Sequence, residues 1–133
     1  MKVAAAAAGG PPVGSLGAVR HTHHFTLEEA RTELPWVEAK LAALRDARDR
    51  LTDTEARQAL ADGSPTNGGG HPGKKVGEAF VELQNGIAAF EQRGIILRDL
   101  DSGLIDFPSV RDGDEIYLCW IDGESDIGFW HDL

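Results

Sequence analysis

Asp106, Tyr117, Cys119 and His131 are the side chains of this sequence whose types could do chemistry together. A thiol, an imidazole and a carboxylate on one surface could form a nucleophile with its base and orienting group. They could equally supply three ligands to a divalent metal, because sulfur, nitrogen and oxygen donors all serve that purpose. The metal reading draws on His131, Asp132, Asp106 and Glu124, with Tyr117, Cys119 and Trp130 completing the candidate patch and a divalent cation as the cofactor. None of these residues stands in a motif spacing. Cys119, between Leu118 and Trp120, also has the setting of a small apolar filler in mid-strand.

Three other groupings point to chemistry less well. His21, His23 and His24 form a histidine-rich tract of the kind that chelates transition metals, and with no partner fixed in space incidental binding is the expectation. Asp101, Asp106, Asp112 and Asp114 lack the spacing of a helix-loop-helix calcium site, and Asp-Gly is ordinary turn chemistry. Gly68, Gly69 and Gly70 precede Lys74 and Lys75 without the order or the preceding strand of a phosphate-binding loop.

The elements that must position the candidate patch are strands. From Ile95 apolar residues alternate with polar ones, and turns punctuate them at Asp101-Ser102-Gly103, Arg111-Asp112-Gly113-Asp114 and Asp122-Gly123-Glu124-Ser125. The strands read as Ile95–Arg98, Leu104–Phe107, Glu115–Ile121 and Ile127–His131, joined as an antiparallel meander. Alternation puts Ile116, Leu118 and Trp120 on a core face. It leaves Asp106, Tyr117, Cys119 and His131 for the face away from the helices, where a functional site is expected, with Asp132 and Glu124 at its edge.

Two helices cover the core face. The first begins at Thr26, which caps it while Glu29 reaches back, and Phe25 is placed to staple onto Ala30. Leu27, Ala30, Leu34, Val37, Leu41 and Leu44 form its seam, and because their phase survives Pro35 the helix should kink there rather than end. A second helix is expected from about Lys75 to Arg93, with Val76, Phe80, Leu83, Ile87 and Phe90 on one stripe and Gly94 as its stop. The predicted fold is α+β: an antiparallel two-helix hairpin on a three- to four-stranded antiparallel meander, one domain over residues 25–133. Residues 1–24 read as a disordered tail and about 63–75 as a flexible loop, since neither has enough apolar content to offset its ordering entropy. The first eight residues imitate a secretion signal but are short, alanine-dominated and followed at once by Gly-Gly-Pro-Pro.

The chain has 133 residues and a formal net charge of −9, and from Arg98 to Leu133 ten acidic residues face two arginines. That half repels phosphate backbones, so neither nucleic acid nor an anionic membrane is the expected partner. One cysteine, with no apolar run near the roughly 20 residues needed to span a bilayer, fits a cytoplasmic protein. Two helices over one small sheet make a thin core. With Trp36, Ala42 and Ala43 off the main seam a homodimer is expected, although Trp36 also suits flanking the core.

The segments FTLEEARTELPW, LRDLDSGLIDFP, EIYLCW and IGFWHDL, in that order, resemble a bacterial family catalogued as domain of unknown function 2203. The resemblance covers most of residues 25–133, while the loop Ser64–Lys75 is richer in glycine than the family pattern. It implies no activity and carries no catalytic role onto any position. The residues therefore favour a non-enzymatic binding or accessory module, the alternative being a small metal-dependent enzyme built on the histidine and carboxylates of the C-terminal sheet.

Overall fold

The computed structural model describes residues 20–61 and 70–133, with side chains described over 20–54 and 73–133. Most of the expected tail and loop therefore lies outside the described residues. Helices α1 (Leu27–Ala61) and α2 (Gly70–Arg93) precede strands β1 (Ile96–Asp99), β2 (Leu104–Arg111), β3 (Asp114–Ile121) and β4 (Phe129–Asp132). The strands form one antiparallel sheet in the order β1-β2-β3-β4. This is the α+β fold that the periodicities predict.

The capping box at the start of α1 is complete: Glu29 N donates to Thr26 Oγ1 at 3.1 Å and Thr26 N to Glu29 Oε1 at 2.9 Å. The helix runs through Pro35 without a break. Its seam residues Leu27, Ala30, Leu34, Val37, Leu41 and Leu44 join Ile105, Phe107, Ile116, Leu118 and Trp120 in one buried cluster. The helices are antiparallel, since ion pairs join Glu33 to Arg93 and Arg50 to Glu82. Gly94, at φ 73°, ends α2 with Ile95 N bonded to Phe90 O and Gly94 N to Glu91 O, both at 3.0 Å.

Two expectations about α2 need correction. It starts at Gly70, inside the stretch read as loop, and Pro72 is tolerated because the first turn of a helix has no amide partners to lose. The helix is also rotated from the expected stripe. Ala79 and Phe90 are buried, Gly86 lies against Leu44, and Phe80 and Ile87 face solvent. Small residues at 79 and 86 let the two helix backbones come close, and that approach decides which side turns inward. Trp36 flanks the core, edge-on to Phe90 at 5.0 Å, with Arg93 and Lys40 over its ring.

β2 is longer than expected and passes through Pro108. The Pro108 carbonyl accepts from Phe25 N at 2.7 Å, and Ser109 Oγ donates to the Phe25 carbonyl at 2.5 Å. Carbonyl and nitrogen of one strand residue point the same way, so the Pro108 nitrogen faces this edge too. It removes no bond from the β2–β3 ladder. The β2–β3 turn is Asp112-Gly113 with φ of 51° and 84°, two successive left-handed residues that match the strand twist.

Candidate functional site

Antiparallel pairing places directly opposed residues on the same face of a sheet. Asp106 pairs with Cys119 and with Ile96, and Tyr117 pairs with His131, so these side chains share the outer face, opposite the helices. Asp106 is 2 % exposed, yet its carboxylate is well partnered. Arg98 Nε donates to Oδ2 at 2.8 Å, and His131 Nε2 lies 3.3 Å from the carboxylate oxygens. The Cys119 thiol completes the group: one donor atom each from Asp106, Cys119 and His131 lie within 4.8 Å of one another. Above them the Arg98 guanidinium stacks on the Tyr117 ring at 4.8 Å, and the Tyr117 and His131 rings are 5.3 Å apart.

The electrostatics settle the state of the thiol. Burial, reinforced by the charge of Asp106 and by the hydrogen bond to it, pushes Cys119 up to about 11. At neutral pH it is a protonated donor to a carboxylate, the opposite of an activated nucleophile. Arg98 is held above its ordinary value by its bond to Asp106, which leaves a permanent cation beside the buried anion. A buried carboxylate with three partners is also a stable structural arrangement in its own right.

Of the residues expected here, Asp106, Tyr117, Cys119 and His131 converge, while Asp132, Glu124 and Trp130 do not. Asp132 pairs with Ile116 and Trp130 with Leu118, so alternation turns both to the opposite face from His131. Trp130 packs against the core beneath the Arg111 guanidinium, 4.4 Å from its ring, and its buried Nε1 has no partner among the described residues. Asp132 lines a separate cavity of about 230 Å³ with Arg111, Asp112, Asp114 and Trp130. Glu124 closes the β3–β4 turn, accepting from Ile121 N at 2.7 Å through its carboxylate and from Trp120 Nε1 at 3.1 Å through its carbonyl. Only its charge reaches the site, as a minor contribution to the raised thiol.

The sequence reasoning missed Arg98 and the strap formed by residues 20–25. Glu115, on the outer face two residues before Tyr117, accepts from Arg20 N at 2.6 Å, His21 N at 3.2 Å and His24 Nε2 at 2.8 Å. His21 Nε2 meets the Tyr117 hydroxyl at 2.8 Å, linking the strap to the candidate site. The histidine tract is thus seated on the sheet, not adrift. A signal for this existed, since the tract immediately precedes a capped helix that must lie on that sheet. Arg98 was visible as one of two cations in an acid-rich stretch, but its partner lies eight residues away across a turn. Asp101 and Asp112 serve as turn residues, Asp101 ion-paired to Arg48 and Asp112 at positive φ, in keeping with the turn reading.

Among the described residues no helix is long and apolar enough to cross a membrane. No curated protein and no solved structure matches the chain. The family model described as "Uncharacterized conserved protein (DUF2203)" matches residues 23–133, which take in the last three residues of the strap, both helices and the whole sheet, and the chain belongs to that family.

Proposed function

We propose that this protein is a non-catalytic accessory module that takes up a thiophilic divalent cation of the zinc class on the outer face of its sheet, through Asp106, Cys119 and His131. The observation that carries the reading is the convergence of an oxygen, a sulfur and a nitrogen donor within 4.8 Å, each from a different strand of one sheet. A mixed set of this kind suits zinc better than calcium or magnesium, which require oxygen. His131 has a side chain 46 % exposed, so a cation can enter from solvent without opening the core. Arg98 would orient the Asp106 carboxylate from one oxygen and leave the other for the metal, while its charge weakens binding.

Binding must displace the thiol proton. With Cys119 held up to about 11, affinity rises as pH rises, and each cation taken up near neutrality releases about one proton. A thiol so far from ionisation does not support covalent catalysis, which is why an accessory role is preferred. The exposure of His131 favours one alternative, a small metal-dependent enzyme in which solvent completes the coordination.

Elemental analysis after dialysis, with cobalt(II) as a spectroscopic substitute, tests the reading. One zinc per chain and a sulfur-to-cobalt absorption band are expected. Both should disappear in Cys119→Ser, Asp106→Asn and His131→Ala, and His131→Ala should melt within a few degrees of the parent because the ring is half exposed. Zinc that binds equally well in Cys119→Ser, or no stoichiometric metal, defeats the proposal. A cost of several kcal/mol in His131→Ala would make that residue structural.

A further inference from the structure

The rotation of α2 leaves a large apolar surface with no partner among the described residues. Phe80 is 52 % exposed, Val81 50 % and Ile87 46 %, on a helix whose adjoining side is already packed against α1 through Ala79, Gly86 and Phe90. Phe80 and Ile87 are seven residues apart, two turns, so they stand on one side of the helix about 10 Å from each other. Beside Ile87 the surface is concave. A groove of about 310 Å³ opens there, lined by Ile87, Phe90, Glu91, Ile96, Leu97 and His21. The same helix thus carries a protruding phenyl ring near its middle and an apolar hollow two turns further on.

We infer that this face binds a second copy of the chain, with the two α2 helices packed antiparallel about a two-fold axis near Leu83 and Gln84 and each Phe80 ring seated in the groove beside Ile87 of the other copy. A two-fold axis midway between a knob and a hole on one helix brings each knob to the other copy's hole. Such an interface is isologous and closed, so it ends at a dimer. A large aromatic ring inserted in a preformed apolar pocket is also the kind of contact that dominates interface energies.

Charge selects the same orientation. Glu91 lines the groove of each copy. Antiparallel packing about that axis keeps the two Glu91 carboxylates about 20 Å apart along the helices, whereas parallel packing would bring them together. Lys75 takes no part, since it lines a separate groove with Arg50, Asp53 and Thr54 of α1. The inference replaces Trp36, Ala42 and Ala43 as the expected contact, since Trp36 is held between Phe90 and two cations.

Sedimentation equilibrium of the full chain decides it. A dimer is expected at tens of micromolar, and Phe80→Glu should raise its Kd roughly a hundredfold or more while the helical circular dichroism stays unchanged, because residue 80 is exposed in the single chain. Gln84→Cys, beside the axis, should cross-link the dimer on mild oxidation, and Glu91→Cys should not. A wild-type chain that stays monomeric overturns the inference and leaves the groove to a different partner. A Phe80→Glu chain that stays dimeric moves the interface elsewhere, and cross-linking through Glu91→Cys overturns the antiparallel arrangement.

Discussion

β2 and β3 are buried on both faces, but by different chemistry. The inner face is filled by Ile105, Phe107, Ile116, Leu118 and Trp120 against the α1 seam. The outer face buries Asp106 and Tyr117 beneath Arg98, His131 and the strap, through hydrogen bonds and stacked rings. Apolar burial is non-directional and scales with area, so each inner side chain contributes in proportion to its size and neighbours can partly compensate for its loss. A polar cluster is directional, and its members depend on one another: removing one leaves another buried without a partner. The inner face supplies the bulk of the stability, and the outer face supplies position.

The largest effect is therefore expected on the inner face. Trp120 is fully buried and also donates Nε1–H to the Glu124 carbonyl that closes the β3–β4 turn. Trp120→Ala should cost about 3–5 kcal/mol, read as a lower urea midpoint with an unchanged slope. A cost below about 1 kcal/mol would mean that this face is not the core.

The outer face should give a smaller effect with a different signature. Arg98→Ala strips one oxygen of the buried Asp106 carboxylate of its donor, at a cost of about 2 kcal/mol. Adding Asp106→Val removes the stranded charge, so the double variant should be more stable than Arg98→Ala alone, a coupling of about 1 kcal/mol or more. Simple additivity would show that Asp106 is solvated from the outer side and that the two faces differ less than their composition suggests.

The two faces also differed in how far they could be read in advance. Alternation marks Ile116, Leu118 and Trp120 as core because apolar burial leaves a period-two trace in the sequence. The convergence of Asp106 with Cys119 depends on register, and that too was within reach: Asp112-Gly113 is a two-residue turn that sets Arg111 opposite Asp114 and, counting back pair by pair, Asp106 opposite Cys119. The longer β3–β4 connection offers no such count for setting His131 opposite Tyr117, although alternation along β4 by itself turns Asp132 and Trp130 away from His131. The β2 extension was hidden because proline ordinarily marks a strand end, and here the edge it spoils is taken by Phe25. On α2 the bulky stripe and the small one overlap, and only the distance of closest approach to α1 decides between them. The strap contacts span more than 90 residues and leave no local period at all.

The strap yields the smallest and most conditional effect. Burial alone would raise the Glu115 carboxyl, but the bond from His24 and the amides of Arg20 and His21 more than offset it, and the folded value lies below the ordinary 4.5. A group depressed on folding contributes stability that is fully present above its unfolded pKa and is lost as pH falls through the folded one. Docking of the strap should therefore be constant between pH 7 and about 5 as far as Glu115 is concerned, and should fail below about 4.5 as the carboxylate takes up a proton. The Phe25 amide, bonded to the Pro108 carbonyl, is the natural reporter, since its hydrogen exchange follows detachment of the strap. Glu115→Gln should cost about 1–2 kcal/mol at pH 7, raise Phe25 exchange there and abolish the acid step. Because Trp120 and its neighbours do not depend on this carboxylate, their amides should stay protected through the same transition. If Phe25 remains equally protected in Glu115→Gln, the phenyl ring in the core holds the strap by itself and the outer face has no positional role at that end. If the inner amides exchange together with Phe25, the two faces unfold as one unit and the contrast between them disappears.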